Sequence, residues 1–240
     1  MLGNGDGSFT PGSTQVVYVI DNVYEDYSSR GVIVGDVNGD GVLDLAYGGV
    51  ICDDHEGCYP PFYGLLIGNG DGTFRHSGGG GGRPLLAADL DGNGVSDVLS
   101  VDDPGHVVVA LHQRDGSSVA HNVPVYTASV AVGDLNEDGR LDMVAAGFLG
   151  NTVSVLIGNG NGSFGSDFES PLGFSPTLVA SGDLNGDGRT DLVALQDRTD
   201  QGGMAMTARS QFCSMTVTAV LRRQVTPMWV TTSRESLSDT

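Results

Sequence analysis

A nine-residue segment recurs four times in this chain and constrains its fold more than anything else: DVNGDGVLD at 36–44, DLDGNGVSD at 89–97, DLNEDGRLD at 134–142 and DLNGDGRTD at 183–191. The copies start 53, 45 and 49 residues apart, so the chain is an array of like units. A second signature alternates with the first: GNGDGSF at 3–9, GNGDGTF at 68–74 and GNGNGSF at 158–164. RDGSS at 114–118 holds the place of a further copy in degraded form.

Each unit reads as short strands. GVIV (31–34), PLLAA (84–88), SVAV (129–132) and TLVA (177–180) precede the loops, and LDLAYG, SDVLSV, LDMVAAG and TDLVAL follow them. These stretches are rich in Val, Leu and Ala and carry no sustained helical period. Next comes an apolar strand such as TVSVLIG (152–158), then an Asn-Gly hairpin turn, then an outgoing strand. Four strands per repeat of this length match one blade of a β-propeller. A single blade cannot bury both faces, so neighbours must stack. An open β-sandwich with repeated turns does not explain loops at one fixed place per unit. The predicted fold class is therefore all-β, a β-propeller of about four four-stranded blades. GNGDGSF at 3–9 reads as the turn between the third and fourth strands of a blade whose earlier strands are missing; its outgoing strand either completes a blade begun at the C-terminus or, as the fading of the repeat after Gly203 favours, belongs to a partial propeller.

The repeats are predicted over residues 1–203, and 204–240 as the end of the last blade plus an atypical tail. MAMTAR and SMTVTAV are the candidates for that blade's last two strands. Residues 50–63 (VICDDHEGCYPPFY) are an insertion between the second and third strands of the first unit, and Gly78 to Gly82 a flexible connector between blades.

Positions 1, 3, 5 and 9 of each loop carry side-chain oxygens, and the backbone carbonyl at position 7 adds another. The predicted metal ligands are Asp36, Asn38, Asp40, Val42 and Asp44 in loop one, and Asp89, Asp91, Asn93, Val95 and Asp97 in loop two. Loop three supplies Asp134, Asn136, Asp138, Arg140 and Asp142, and loop four Asp183, Asn185, Asp187, Arg189 and Asp191. Glycines 41, 94, 139 and 188 permit the sharp turn that brings alternate oxygens together. Hard oxygen donors without His or Cys select Ca²⁺ over zinc or copper, and a flexible cage suits Ca²⁺ better than Mg²⁺. About four Ca²⁺ ions are expected, one per loop. Three clustered carboxylates repel one another, so metal-free loops are expected to be loose. A turn-rich loop that binds nothing is the bland reading, and four complete copies argue against it. An EF-hand needs Glu at position 12, where this chain has Tyr47, Ser100, Ala145 and Ala194. Dockerin-type modules fail the same requirement.

Loops of the form DxNxDGxxD, an apolar strand and then GNGDGxF resemble the FG-GAP/VCBS repeats of integrin α-subunit propellers and of many secreted bacterial proteins. The resemblance covers roughly residues 1–200. It implies a Ca²⁺-stabilised propeller with metal between the first and second strands of each blade. Family propellers usually close with about seven blades, against four complete loops here. The ligand-recognising loops of integrins have no counterpart in this sequence, so the adhesive role is not carried over residue by residue.

The chain has 30 acidic residues and 11 basic ones, all arginine, for a net charge of −19. That balance argues against nucleic acid or an anionic membrane surface as partner. No apolar run is long enough for a membrane-spanning helix. No leader is visible, and one is expected to have been lost with a missing N-terminus. Cys52 and Cys58 flank a short acidic loop: a local disulfide, two free thiols or a zinc site with His55 are all open readings, and Cys213 stands alone.

No nucleophile elbow, P-loop, HExxH or dinucleotide fingerprint is present. Asp102 to His106 could serve as an acid/base cluster, but a polar turn is expected there. The leading expectation is a non-catalytic, extracellular or cell-surface binding module for a protein or glycan. The alternatives are the propeller portion of a secreted polysaccharide lyase or hydrolase, and a lectin using Tyr59, Phe62 and Tyr63.

Overall fold

The computed structural model describes residues 2–3, 8–10, 28–50, 52–53, 57–58, 61–102, 105–127, 129–147, 151–196 and 216–217. All regular structure among them is β-strand, as the absence of helical periodicity predicts. No helix of the described residues is long and apolar enough to cross a membrane. Residues 1–127 with 158–165 form one compact unit, and residues 128–157 with 166–240 form a second.

In the first unit, β1 (Leu2–Gly3) and β2 (Phe9–Thr10) pair antiparallel, with Leu2 opposite Thr10 and Gly3 opposite Phe9. The first GNGDGSF copy thus joins two strands, short as they are. There follow β3 (Ser28–Gly35), β4 (Asp44–Val50), β5 (Cys52–Asp53), β6 (Gly57–Cys58), β7 (Phe62–Gly68) and β8 (Phe74–Gly81). Strands β3-β4-β7-β8 make one antiparallel sheet in that order, and β5-β6 form a hairpin of their own. The insertion therefore lies between the second and third strands of its sheet, as predicted, but within narrower bounds: Val50 ends β4, and Phe62 and Tyr63 open β7. Its register sets Cys52 opposite Cys58. His55, Tyr59 and Cys213 lie outside the described residues. The second sheet runs β9 (Arg83–Ala88), β10 (Asp97–Val101), β11 (His106–His112) and β12 (Ser118–Tyr126), again in chain order.

The second unit repeats the plan. Strands β13 (Val130–Gly133), β14 (Asp142–Ala146), β15 (Thr152–Gly158) and β16 (Phe164–Pro171) form a four-stranded sheet in sequence order. Strands β17 (Leu178–Gly182), β18 (Asp191–Gln196) and β19 (Thr216–Val217) form a three-stranded one. Strand β19 falls within SMTVTAV and pairs with β18, Val217 opposite Leu195. MAMTAR and the rest of the tail lie outside the described residues.

Sheets stack within each unit, because each has an apolar face to bury. Val37, Ala46, Leu65 and Ile67 of the first sheet close on Val98 and Ala110 of the second. In the second unit Ala131, Val144, Val153 and Val155 pack with Val179, Leu192 and Ala194. Strands β10 and β14 are buried along their whole length, which explains their near-continuous apolar runs DVLSV and DMVAA.

Two expectations need correcting. Of the Gly78 to Gly82 connector only Gly82 lies between strands; Gly78 to Gly81 belong to β8, which is hydrogen-bonded to β7. At two positions of this strand pair glycine is needed because a tyrosine ring lies over the backbone: a Cβ on Gly80 of β8 would stand 2.6 Å from the Tyr63 ring, and one on Gly64 of β7 would collide with Tyr47. Tyr63 is correspondingly a core side chain, 4% exposed, and cannot present an aromatic face to a sugar.

The stacked core sets a stability prediction. Leu99 is wholly buried, so Leu99→Ala is expected to cost about 3 kcal/mol in urea denaturation. Val119→Ala, at a position 66% exposed, is expected to shift stability by less than about 0.5 kcal/mol.

Candidate metal centre

Each nine-residue loop joins the first and second strands of a sheet: β3 to β4, β9 to β10, β13 to β14 and β17 to β18. The sequence makes the turn by Asx chemistry, in which short carboxylates and amides accept backbone N–H groups ahead of them. Position 1 does most. Asp36 Oδ1 accepts from the N–H of Gly39 at 2.7 Å and of Asp40 at 3.1 Å, and Oδ2 from Gly41 at 2.8 Å. Asp89 repeats the pattern with Gly92, Asn93 and Gly94, and Asp183 with Gly186, Asp187 and Gly188. Asp134 binds the N–H groups of Asp138 and Gly139.

Position 3 accepts from position 5 through Asn38, Asp91, Asn136 and Asn185. Position 5 accepts from position 7, so Asp40, Asn93, Asp138 and Asp187 hold the N–H groups of Val42, Val95, Arg140 and Arg189. The position-6 glycines take φ of 85°, 79°, 83° and 83°, in the left-handed region, as the turn demands. Position 4 is also left-handed. Loop three places Glu137 there, at φ 64°, the lone described non-glycine residue with positive φ. Within each loop the side-chain oxygens are met by the loop's own N–H donors.

Position 9 has a role that the sequence reading missed. Asp44, Asp97, Asp142 and Asp191 are almost completely buried. Each turns Oδ2 to the N–H at position 2 of its own loop, on Val37, Leu90, Leu135 and Leu184, at 2.8–3.1 Å. Oδ1 of Asp44 accepts from Gly68 N–H at 2.8 Å, and Oδ1 of Asp97 from His112 N–H at 2.8 Å. One carboxylate thus ties the loop to the end of the third strand. The available signal was an Asp at the first position of a wholly apolar strand, where an acid survives only if its lone pairs are filled.

Burial is the main cause that raises the Asp44 and Asp97 carboxyls, Asp97 to about 6, against the N–H donors that oppose it. The nearby charges of Asp91 and Asp89 add to the rise at Asp97. Asp183 is shifted down, chiefly by the N–H of Gly188.

Loop two gathers its acids most closely: one oxygen each of Asp89, Asp91 and Asp97 lie within 4.8 Å of one another. Among the described residues no other trio meets that spacing. Loops one, three and four carry Asn at position 3 and place the third acid at position 5. Oxygen-only donors with three carboxylates could hold a hard divalent cation.

Asp102 and His106 are hydrogen-bonded to each other. Asp102 Oδ1 accepts the N–H of His106 at 2.7 Å and lies 3.2 Å from His106 Nδ1, while the His106 ring packs on Tyr126 at 4.3 Å. Asp103 and Pro104 lie outside the described residues.

The raised Asp97 acid makes stability pH-dependent. Its folded pKa of about 6 exceeds the ordinary 3.8, so the fold favours the protonated form. Without divalent cations, the Asp97 contribution is expected to fall as pH rises from about 4 to 6, by roughly 3 kcal/mol at most. Denaturation midpoints of wild type and Asp97→Asn across that range, in chelator, check this: the pH slope should flatten in the variant.

Comparison with known proteins agrees with the repetition of the loops. The family model for the FG-GAP-like repeat matches residues 89–145 and 134–194. No curated protein matches the chain. Among solved structures it is similar to the exotype rhamnogalacturonan lyase YesX, at 17% identity and a TM-score of 0.45, over 71% of this chain and 40% of that one. For rhamnogalacturonan lyase YesW the values are 16%, 0.46, 71% and 41%. For the Photorhabdus luminescens Tc holotoxin pore they are 24%, 0.38, 75% and 9%. The chain thus spans about two-fifths of the length of either lyase. Two overlapping repeat matches, each beginning at the first aspartate of a nine-residue loop, show that residues 89–194 of this chain carry FG-GAP-like repeats.

Proposed function

We propose that this chain is a calcium-stabilised β-propeller segment that works outside the cell or at its surface as a non-catalytic binding module. The carrying observation is the recurrence of one loop scaffold between the first and second strands of four sheets, with three carboxylates converging in loop two. Asp89, Asp91, Asn93 and Asp97 with the Val95 carbonyl would hold the ion there, and the corresponding residues in the other three loops. Calcium would add positive charge where the acids sit and lock the first hairpin of each sheet. The chain's own residues orient the donors: position 1 shapes the turn and position 9 anchors it to the core. Four ions would bring the net charge from −19 to −11. The partner class that fits is a protein or glycan, since the acidic surface disfavours nucleic acid.

Thermal unfolding tests the metal. Free calcium at about a hundred times its dissociation constant is expected to stabilise by about 2.7 kcal/mol per site, and chelator should reverse the shift. An unchanged melting temperature in millimolar calcium overturns the reading. Asp183→Ala is expected to weaken protection of loop four more than that of loop one, read by amide exchange. A glycan array run beside a polysaccharide lyase and hydrolase screen tests the rest: saturable binding without turnover is expected, and turnover overturns the non-catalytic role.

A further inference from the structure

Neighbouring cation loops within a unit are joined directly. The N–H of Ser96, at position 8 of loop two, donates to the carbonyl of Asp36, at position 1 of loop one, at 2.7 Å. Arg114, from the degraded RDGSS turn between β11 and β12, adds a second link. Its Nη1 donates to the Gly39 carbonyl, at position 4 of loop one, at 2.9 Å. Its other end nitrogen lies where a Cβ on Gly94 of loop two would come within 3.0 Å of it. The guanidinium therefore lies against both loops.

The arginine's own turn is bound to loop two. Asn93 Nδ2 donates to the His112 carbonyl at 2.9 Å, Gln113 Nε2 reaches Asp91 at 3.4 Å, and Asp97 holds the His112 N–H. All three loop residues belong to the proposed ion-binding set. The second unit has a counterpart: Arg189 Nε of loop four meets Glu137 Oε1, at position 4 of loop three, at 2.9 Å. In both units an arginine from the later sheet engages position 4 of the earlier loop.

We propose that Arg114 is a positioning residue that couples the first cation loop to the second, so that closure of loop two on an ion braces loop one. The proposal rests on reading the loops as calcium sites. When Asp91, Asn93 and Asp97 draw in around an ion, they fix His112 and Gln113, and these fix the arginine that holds the Gly39 carbonyl. A structural arginine without coupling would stabilise loop one equally whether or not loop two is filled.

Amide exchange of the full chain separates these cases, read on peptides spanning 36–44 with and without calcium chloride. In metal-free protein, Arg114→Met is expected to speed exchange in 36–44 about fivefold or more and to leave 134–142 and 183–191 unchanged. Asp89→Asn, which disables loop two, is expected to raise the calcium concentration that protects 36–44 about fivefold, and to have no such effect in the Arg114→Met background. Unaltered exchange of 36–44 in metal-free Arg114→Met overturns the link, and an undiminished effect of Asp89→Asn in that background overturns the coupling. If calcium protects no loop while Arg114→Met still speeds exchange, the calcium reading falls and the arginine link stands.

Discussion

A carboxylate buried at the start of each second strand is the interaction on which the rest of the structure depends. Asp44 and Asp97 each accept one N–H from the loop behind them and one from the strand beside them, so a single side chain sets loop, second strand and third strand in register. An acid in that position is costly unless both oxygens are filled. The cost is what makes it specifying: a slip of one residue would bury an unsatisfied charge on an apolar face. The stacked cores supply cohesion, and this carboxylate decides which arrangement of strands they stabilise.

The loops show how shape and charge can be provided for separately. Asx turns give the chain its curl through its own amides. What the amides leave is a concentration of negative charge at the end of each first hairpin. That division explains why the same sequence pattern fits both a turn and a cation site. It also explains why loop two, with acids at positions 1, 3 and 9, gathers its carboxylates more tightly than loops with Asn at position 3.

Much of this was legible in the sequence. Four copies of one loop fixed the number of repeats, and the apolar runs between them fixed strand order, because period and length leave few other choices. The ligand candidates follow from residue type and spacing. Less visible was what depends on contacts between distant residues. The Gly78 to Gly81 run looks like a linker until Tyr63 is seen lying across Gly80. Arg114 looks like a relic of a lost turn signature, and its partner Gly39 is remote in sequence. The double duty of the position-9 aspartates needs the third strand in place before its second oxygen has a donor.

The insertion between β4 and β7 leaves its sheet at the end opposite the aspartate loop, since β4 begins at Asp44 and ends at Val50. The strands on either side keep their pairing, Gly49 opposite Phe62, despite the added residues. Closing a loop costs only logarithmically more as it lengthens, and the β5-β6 hairpin shortens the span left to close. Chain length at that edge is therefore free to change while the charged edge stays fixed, which makes it the place where one repeat can acquire a surface that its siblings lack.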